Sequence, residues 1–393
     1  MKTKALRLYG AKDLRTEEFE LPEITDDEIL AEVISDSICM STYKCAMLGE
    51  KHKRVPKNVH ENPVIMGHEF AGNIVKVGKN HQDKFKPGMK FTLQPALNYK
   101  GTMWSPGYSY PYFGGDCTYT IIPSEVMELG CLFEYKGDAY FEASLAEPMS
   151  CSIGASHAAF HTKMGVYHHD MGIKEGGKMA ILAGAGPMGL LLLKALRIGG
   201  TSRIAVVDLR FVNTANMENA AEYLREISGG GYDDVFAYAP ITPVVEMASD
   251  ILGRDGCLSF FAGPTDPTFS AKLNYYDVHY NSTHVIGTTG GNTADMLESL
   301  ALTAANRIHP AVMVTHVGGL NCAGETTLNL PSIPGGKKLI YTHVEMPLTA
   351  IEDFGRLGET DPRFARLDEI CKANNGLWCK AAEDYVLANW KAE

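Results

Sequence analysis

Hydrophobic and polar positions follow two different periods along this chain. In residues 1–150, short runs such as KALRLY, EILAEVIS, AGNIVKVG and CTYTIIP alternate apolar with polar and are broken by Gly, Pro and Asn. Period two predicts half-buried β-strands. Residues 95–116 (PALNYKGTMWSPGYSYPYFGGD) predict an aromatic, Gly- and Pro-rich loop. From about 178 to 306 the pattern changes. Apolar runs (MAILA, RIAVV, LRFV, DVFAYA, CLSFFA, HVIGT) now alternate with helical stretches: PMGLLLLKALRI, one near 217–228 ending at Gly229, PVVEMASDIL ending at Gly253, and TADMLESLALTAANR. Strands alternating with helices predict a parallel sheet covered on both faces, the doubly wound α/β class. Beyond 307 the pattern is less regular: strand-like KKLIYTHV, then LTAIEDFGRL and helices over 362–373 and 379–391.

One junction breaks the rule. RIAVV (203–207) runs almost directly into LRFV (209–212). Parallel neighbours need a crossover of about a dozen residues. The chain therefore reads as lacking a segment near Val207–Asp208; the plainer alternative is one strand bulged at Asp208–Leu209.

Composition narrows the classes. A chain of 393 residues exceeds what one core usually serves, so two domains are expected. It is 45% apolar and 21% charged, as in a soluble globular protein. A net charge of −11 argues against a nucleic-acid or anionic-membrane surface. The longest nearly apolar run, Met179–Leu193, is too short for a bilayer and is interrupted by three glycines. MKTKALRLYG has no signal core, and nine scattered cysteines suit a reducing compartment, so a cytoplasmic location is expected.

GAGPMG (Gly184, Gly186, Pro187, Met188, Gly189) fits G-x-G-x-x-G between a predicted strand and an apolar helix, the context of a dinucleotide pyrophosphate turn. An ordinary Gly-rich turn is the alternative. Asp208 stands at the spacing of a ribose-binding acid. If a segment is lost it belongs to the next strand, so it is left out of the site, and NAD versus NADP stays open. A second set is Cys39, His68, Glu69 and Glu147: one thiolate, one imidazole and two carboxylates, chemistry suited to a catalytic zinc. Taken singly, each reads as a core residue or a helix cap. His68 and Glu69 are adjacent, so both reach one ion only if the chain bends, which Gly67 permits; otherwise one is a ligand and the other its support. Residues 43–57 hold Lys44, Lys51, Lys53, Arg54 and Lys57 against Glu50. This basic island suits a substrate phosphate, but a solvated loop is the favoured reading.

Together, Cys39 with Ser41, Gly67-His68-Glu69, Glu147-Pro148 and Gly184–Gly189 resemble the zinc-dependent medium-chain dehydrogenase/reductase family, in its polyol and sugar-phosphate branch. In texture, including GPMG and GGKKLIYTHVEMPLTAIEDF, the chain is most similar to enzymes of the L-sorbose 1-phosphate reductase type. The resemblance implies a β-rich GroES-like catalytic domain (1–160 plus 307–393) and a Rossmann domain (161–306), with cofactor and zinc meeting in the cleft. It implies one zinc on Cys39, His68 and Glu69, with Glu147 as fourth or exchanging ligand. Pro148 and the loops FFAGPT and GTTGGNT would lie near the nicotinamide of NAD or NADP. Two departures follow. Residues 90–120 hold only Cys117, so no structural zinc is expected. Lys44 stands where the family has a proton-passing histidine, so the proton path would use Ser41 or Thr42 and end at Lys44 or water. The implied reaction is hydride transfer between NAD(P)(H) and a sugar-phosphate or polyol carbonyl, such as L-sorbose 1-phosphate to glucitol 6-phosphate, in a homo-oligomer. Alternatives are a sorbitol- or threonine-type dehydrogenase, or a nicotinamide-binding protein without turnover. A metalloprotease is excluded, because HEF lacks a second histidine four residues on.

Overall fold

The computed structural model describes residues 1–184, 186, 188–189, 210–214 and 216–392. The chain divides into two compact units, Met1–Glu147 with His309–Glu393, and Pro148–Ile308.

The first unit is β-rich. Its N-terminal strands are β1 (Lys2–Gly10), β2 (Asp13–Glu20), β3 (Ile29–Ile38), β4 (Val64–Ile65), β5 (Phe70–Val77), β6 (Lys90–Leu93), β7 (Tyr119–Ile122) and β8 (Leu132–Glu134). In the second unit β9 (Phe160–Lys163) and β10 (Val166–Met171) form a hairpin, followed by β11 (Met179–Leu182), β12 (Tyr232–Ala237), β13 (Leu252–Phe260) and β14 (His284–Gly287). The chain then returns to the first unit through β15 (Val314–Gly319), β16 (Lys337–Tyr341) and β17 (Thr349–Ala350).

An eight-stranded sheet organises the first unit, in the order β17-β15-β16-β3-β5-β6-β8, with β7 also on β3. β3 is central, and nearly every residue in it is buried. Phe70, Phe91 and Phe113 meet edge to face beneath the sheet, with centroids 5.9–6.1 Å from Phe70. Such aromatic contacts add to the burial of Ile29, Val33 and Leu93. The sequence pattern does not mark β2 (DLRTEEFE), which is polar and largely exposed. Among the described residues it pairs only with β1, and its charges suit an edge.

The second unit carries the parallel sheet that the sequence predicts: β11-β12-β13-β14, all parallel among the described residues. Leu182, Val235, Ala237 and Leu258 face a common core with Val245 and Ala248 of the helix Thr242–Asp250. The helix Ala220–Ser228 ends on Gly229 in the left-handed conformation (φ 70°), as the sequence implies. The helix Thr242–Asp250 stops two residues before the expected end at Leu252. Leu252 is the first residue of β13, because its apolar side chain enters the sheet core there. Residues 210–212 of LRFV form no strand. The rest of that junction, including RIAVV, Val207 and Asp208, lies outside the described residues.

Candidate metal centre

Two short segments build the site, each lying at the end of a strand. β3 finishes at Ile38, and Cys39 caps the helix Met40–Leu48 from an extended conformation (φ −114°, ψ 154°). Its thiol therefore stands at a helix N-terminus, where partial positive charge favours a thiolate. His68 and Glu69 lie between β4 and β5, in a bend and not in a strand. Gly67 makes the bend with φ 85°, and a Cβ there would meet Asp36 Oδ2 at 1.9 Å and Asp116 N at 2.5 Å. No larger residue fits, so the chain turns there and neighbouring side chains that would point apart on a strand converge.

The outcome is a cluster of a cysteine sulfur, a histidine nitrogen and a glutamate oxygen, all within 4.8 Å of one another. One soft thiolate, one imidazole and one carboxylate form a donor set that zinc accepts. Ser41 Oγ donates to Cys39 Sγ at 3.1 Å and lies 3.3 Å from His68 Nε2. Thr42 Oγ1 lies 3.3 Å from His68 Nδ1, on the other side of the ring. Both hydroxyls expected on a proton path thus touch the imidazole, and a partner on one ring nitrogen orients the other toward a ligand. Lys44 is half-buried one turn further along the same helix.

Burial sets the electrostatics. It pushes the Cys39 thiol up to about 11, with Lys337 opposing. It pushes His68 down to about 4, so the imidazole is neutral at pH 7, the form that binds metals. Burial alone would raise the Glu69 carboxyl, but Lys337 beside it, with His68 and Ser37, holds it below the ordinary range.

Lys337 is the participant that the sequence reading missed. Its Nζ lies 2.5 Å from the Glu69 carboxylate, and the two side chains are only 6% and 1% exposed. Ser37 donates to the same carboxylate. Burial lowers the Lys337 ammonium, and Glu69 more than restores it, holding it above its ordinary value. A signal was present: two lysines open KKLIY, a strand buried at all five positions. Glu147 is buried too; its carboxylate is outside the three-atom cluster, yet its charge reaches Lys337. A second carboxyl pair supports the bend from behind. Asp36 Oδ1 accepts from Glu69 N at 3.0 Å and Ser37 N at 2.8 Å. Asp116, fully buried beside it, is pushed up to about 7, chiefly by burial.

In the second unit the glycine motif adopts the close approach its spacing requires. A Cβ on Gly189 would lie 2.4 Å from Gly184 Cα, whereas one on Gly186 would meet open space. Ser152 Oγ donates to the Met188 carbonyl at 3.4 Å. Pro187 lies outside the described residues. Pro148 sits in the first turn of the helix Ala146–Ala158. FFAGPT and GTTGGNT follow the carboxyl ends of β13 and β14, the edge of a parallel sheet where ligands bind.

Residues 25–129 match the alcohol dehydrogenase GroES-like domain. The chain is 50% identical to mannitol-1-phosphate 5-dehydrogenase of Aliivibrio fischeri, covering 98% of this chain and 97% of that protein. It is 45% identical to L-sorbose 1-phosphate reductase of Klebsiella pneumoniae, covering 98% of each. Both alignments, over 412 and 408 residues, exceed the 393 of this chain, so these relatives carry residues without a counterpart here. Among solved structures, 2R,3R-butanediol dehydrogenase from Bacillus subtilis superposes with a TM-score of 0.71 at 22% identity, covering 86% of this chain and 99% of that one.

Proposed function

The chain belongs to the zinc-dependent medium-chain dehydrogenase/reductase family, and on that premise we propose that it interconverts a ketose phosphate and a polyol phosphate with NAD(P)(H). The reading rests on one observation: Cys39, His68 and Glu69 offer their ligand atoms within 4.8 Å of one another. Reduction of L-sorbose 1-phosphate to glucitol 6-phosphate is the reaction to test first. It is supported by 45–50% identity, over almost the whole chain, to two relatives whose names carry sugar phosphates.

When bound, zinc supplies Lewis-acid polarisation of the substrate oxygen, and the nicotinamide supplies or accepts the hydride. Cys39, His68 and Glu69 would hold the zinc, with Glu147 as a fourth or exchanging ligand. Thr42 fixes the His68 ring through Nδ1, and Ser41 hydrogen-bonds the Cys39 sulfur. Lys337 keeps Glu69 charged and held against Ser37. Ser41 and Thr42 are also the hydroxyls placed to pass the alcohol proton toward Lys44 or water. Gly184, Gly186, Met188 and Gly189 form the turn that receives the pyrophosphate, with Pro187 between them in sequence.

Elemental analysis with an activity assay tests this reading. We expect about one zinc per chain in the wild type and near none in Cys39→Ser. NADH or NADPH should be oxidised with L-sorbose 1-phosphate or fructose 6-phosphate by the wild type alone. Zinc-free protein that regains no metal on addition, with no turnover on any ketose phosphate, would overturn it.

A further inference from the structure

Tyr108 is almost fully buried, and three side chains share its ring. The His68 ring lies 5.1 Å away by centroids, and the Tyr108 hydroxyl stands 3.5 Å from His68 Nε2. The His52 ring stacks on Tyr108 at 5.4 Å with an interplanar angle of 14°. The Arg54 guanidinium carbon stands 5.2 Å from the same ring centre. One aromatic ring thus separates a proposed zinc ligand from an arginine.

Around Arg54 the charge is one-sided. Lys44, Lys51, Lys53, Arg54 and Lys57 fall within fourteen residues that hold one acid, Glu50, in a chain of net charge −11. Among the described residues no carboxylate forms an ion pair with Arg54, Lys51 or Lys53, although exposed lysines and arginines elsewhere, such as Lys2, Lys76 and Lys380, do pair with carboxylates. Arg54 is half-buried, and its backbone is pinned: its N donates to His52 Nδ1 at 3.3 Å, and its carbonyl accepts from Ser109 Oγ at 2.8 Å. His52 is held near 4 by burial and then by Arg54, Lys53 and Lys44, so these cations share one neighbourhood around its ring. A half-buried guanidinium beside like charges is a ready partner for an anion. Its planar fork is suited to two phosphate oxygens, and ammonium groups add point charge.

We propose that Arg54, with the exposed Lys53 beside it, binds the phosphate monoester of the substrate, and that Tyr108 spaces this phosphate from the reacting carbonyl. The inference rests on the sugar-phosphate reading above and names the residues that select for the phosphate. It also raises the basic island from the solvated loop favoured by the sequence to a specificity element. Arg54 is a binding residue and Tyr108 a positioning one. A phosphorylated hexose is favoured over the free sugar through binding, with the hydride step unchanged.

The test uses the zinc-loaded full chain as wild type, Arg54→Gln, Arg54→Lys and Lys53→Gln. Inorganic phosphate is titrated calorimetrically into each, and turnover is measured on a ketose phosphate and on the same ketose without phosphate. For Arg54→Gln we expect phosphate affinity and kcat/KM on the ester to fall roughly 10- to 100-fold, almost wholly in KM, the range of lost charge-assisted hydrogen bonds. Turnover of the free ketose should change less than threefold. Arg54→Lys should recover part of the loss, and the exposed Lys53→Gln should weaken phosphate several-fold without touching the fold. Equal losses on ester and free sugar, or unchanged phosphate affinity, would overturn the inference while leaving the enzyme reading intact. Should no ketose phosphate be turned over at all, the enzyme reading fails. The calorimetry then decides the inference alone: phosphate binding lost in Arg54→Gln supports it, and phosphate binding absent from the wild type sinks it.

Discussion

At the scale of single residues, the Glu69–Lys337 pair decides most about the site. A buried carboxylate would ordinarily take up a proton; this one stays charged because an equally buried ammonium touches it. Breaking such a pair from one side leaves an uncompensated buried charge. Lys337→Met should therefore cost about 3–5 kcal/mol of stability, read as a fall in the urea midpoint at unchanged slope. Glu69 would be driven toward its protonated form, and zinc retention should fall with it. A variant within 1 kcal/mol of wild type that keeps its zinc would show that water replaces the lysine and that Glu69 needs no fixed partner.

At the scale of elements, the C-terminal helix Lys380–Asn389 reaches back to the strand-rich part of its own unit through Glu383. This carboxylate accepts from Tyr140 N and Phe141 N, each at 2.8 Å, the first donors of the helix Tyr140–Ser144. Tyr341 at the end of β16 donates to it at 3.1 Å, and Trp378 Nε1 donates to the Tyr341 oxygen at 2.8 Å. Burial pushes Glu383 up to about 7, with the two N–H donors opposing. Glu383→Ala strands two helix donors and a tyrosine hydroxyl in a buried setting. A loss of about 2–4 kcal/mol is expected, against about 1–2 kcal/mol for Glu383→Gln, which keeps one acceptor oxygen but turns an amide NH2 toward the donors of the other. Chemical denaturation of both variants checks this, and similar losses for the two would assign the effect to packing instead.

At the scale of the whole molecule, each compact unit has its own core, so each responds separately to the ligand that its residues would bind. Calorimetric scans should show zinc raising the transition that contains residues 1–147 and NADPH raising the one that contains 148–308. About 2.7 kcal/mol is expected at a hundredfold excess over the dissociation constant. Assignment is made by trypsin digestion at intermediate temperature. Both ligands shifting one single transition by the same amount would show that the two units unfold as one.

What the sequence determined by itself is what short-range physics encodes. Period-two runs predict β1, β3 and β5, and apolar runs between helical stretches predict the parallel strands β11 to β14. Gly67, Gly184 and Gly189 announce close backbone approaches that larger residues cannot make. His68 beside Glu69 is legible as a pair because only a bend lets both reach one point. The polar edge strand β2 was invisible, since an exposed edge needs no apolar alternation. Only tertiary structure could bring Lys337 to Glu69 across 268 positions, or place Arg54 and His68 against one buried tyrosine ring. Those contacts depend on which strands pair and which loops fold over them. Charge neutralisation in a desolvated interior acts through space, and spacing along the chain carries no record of it.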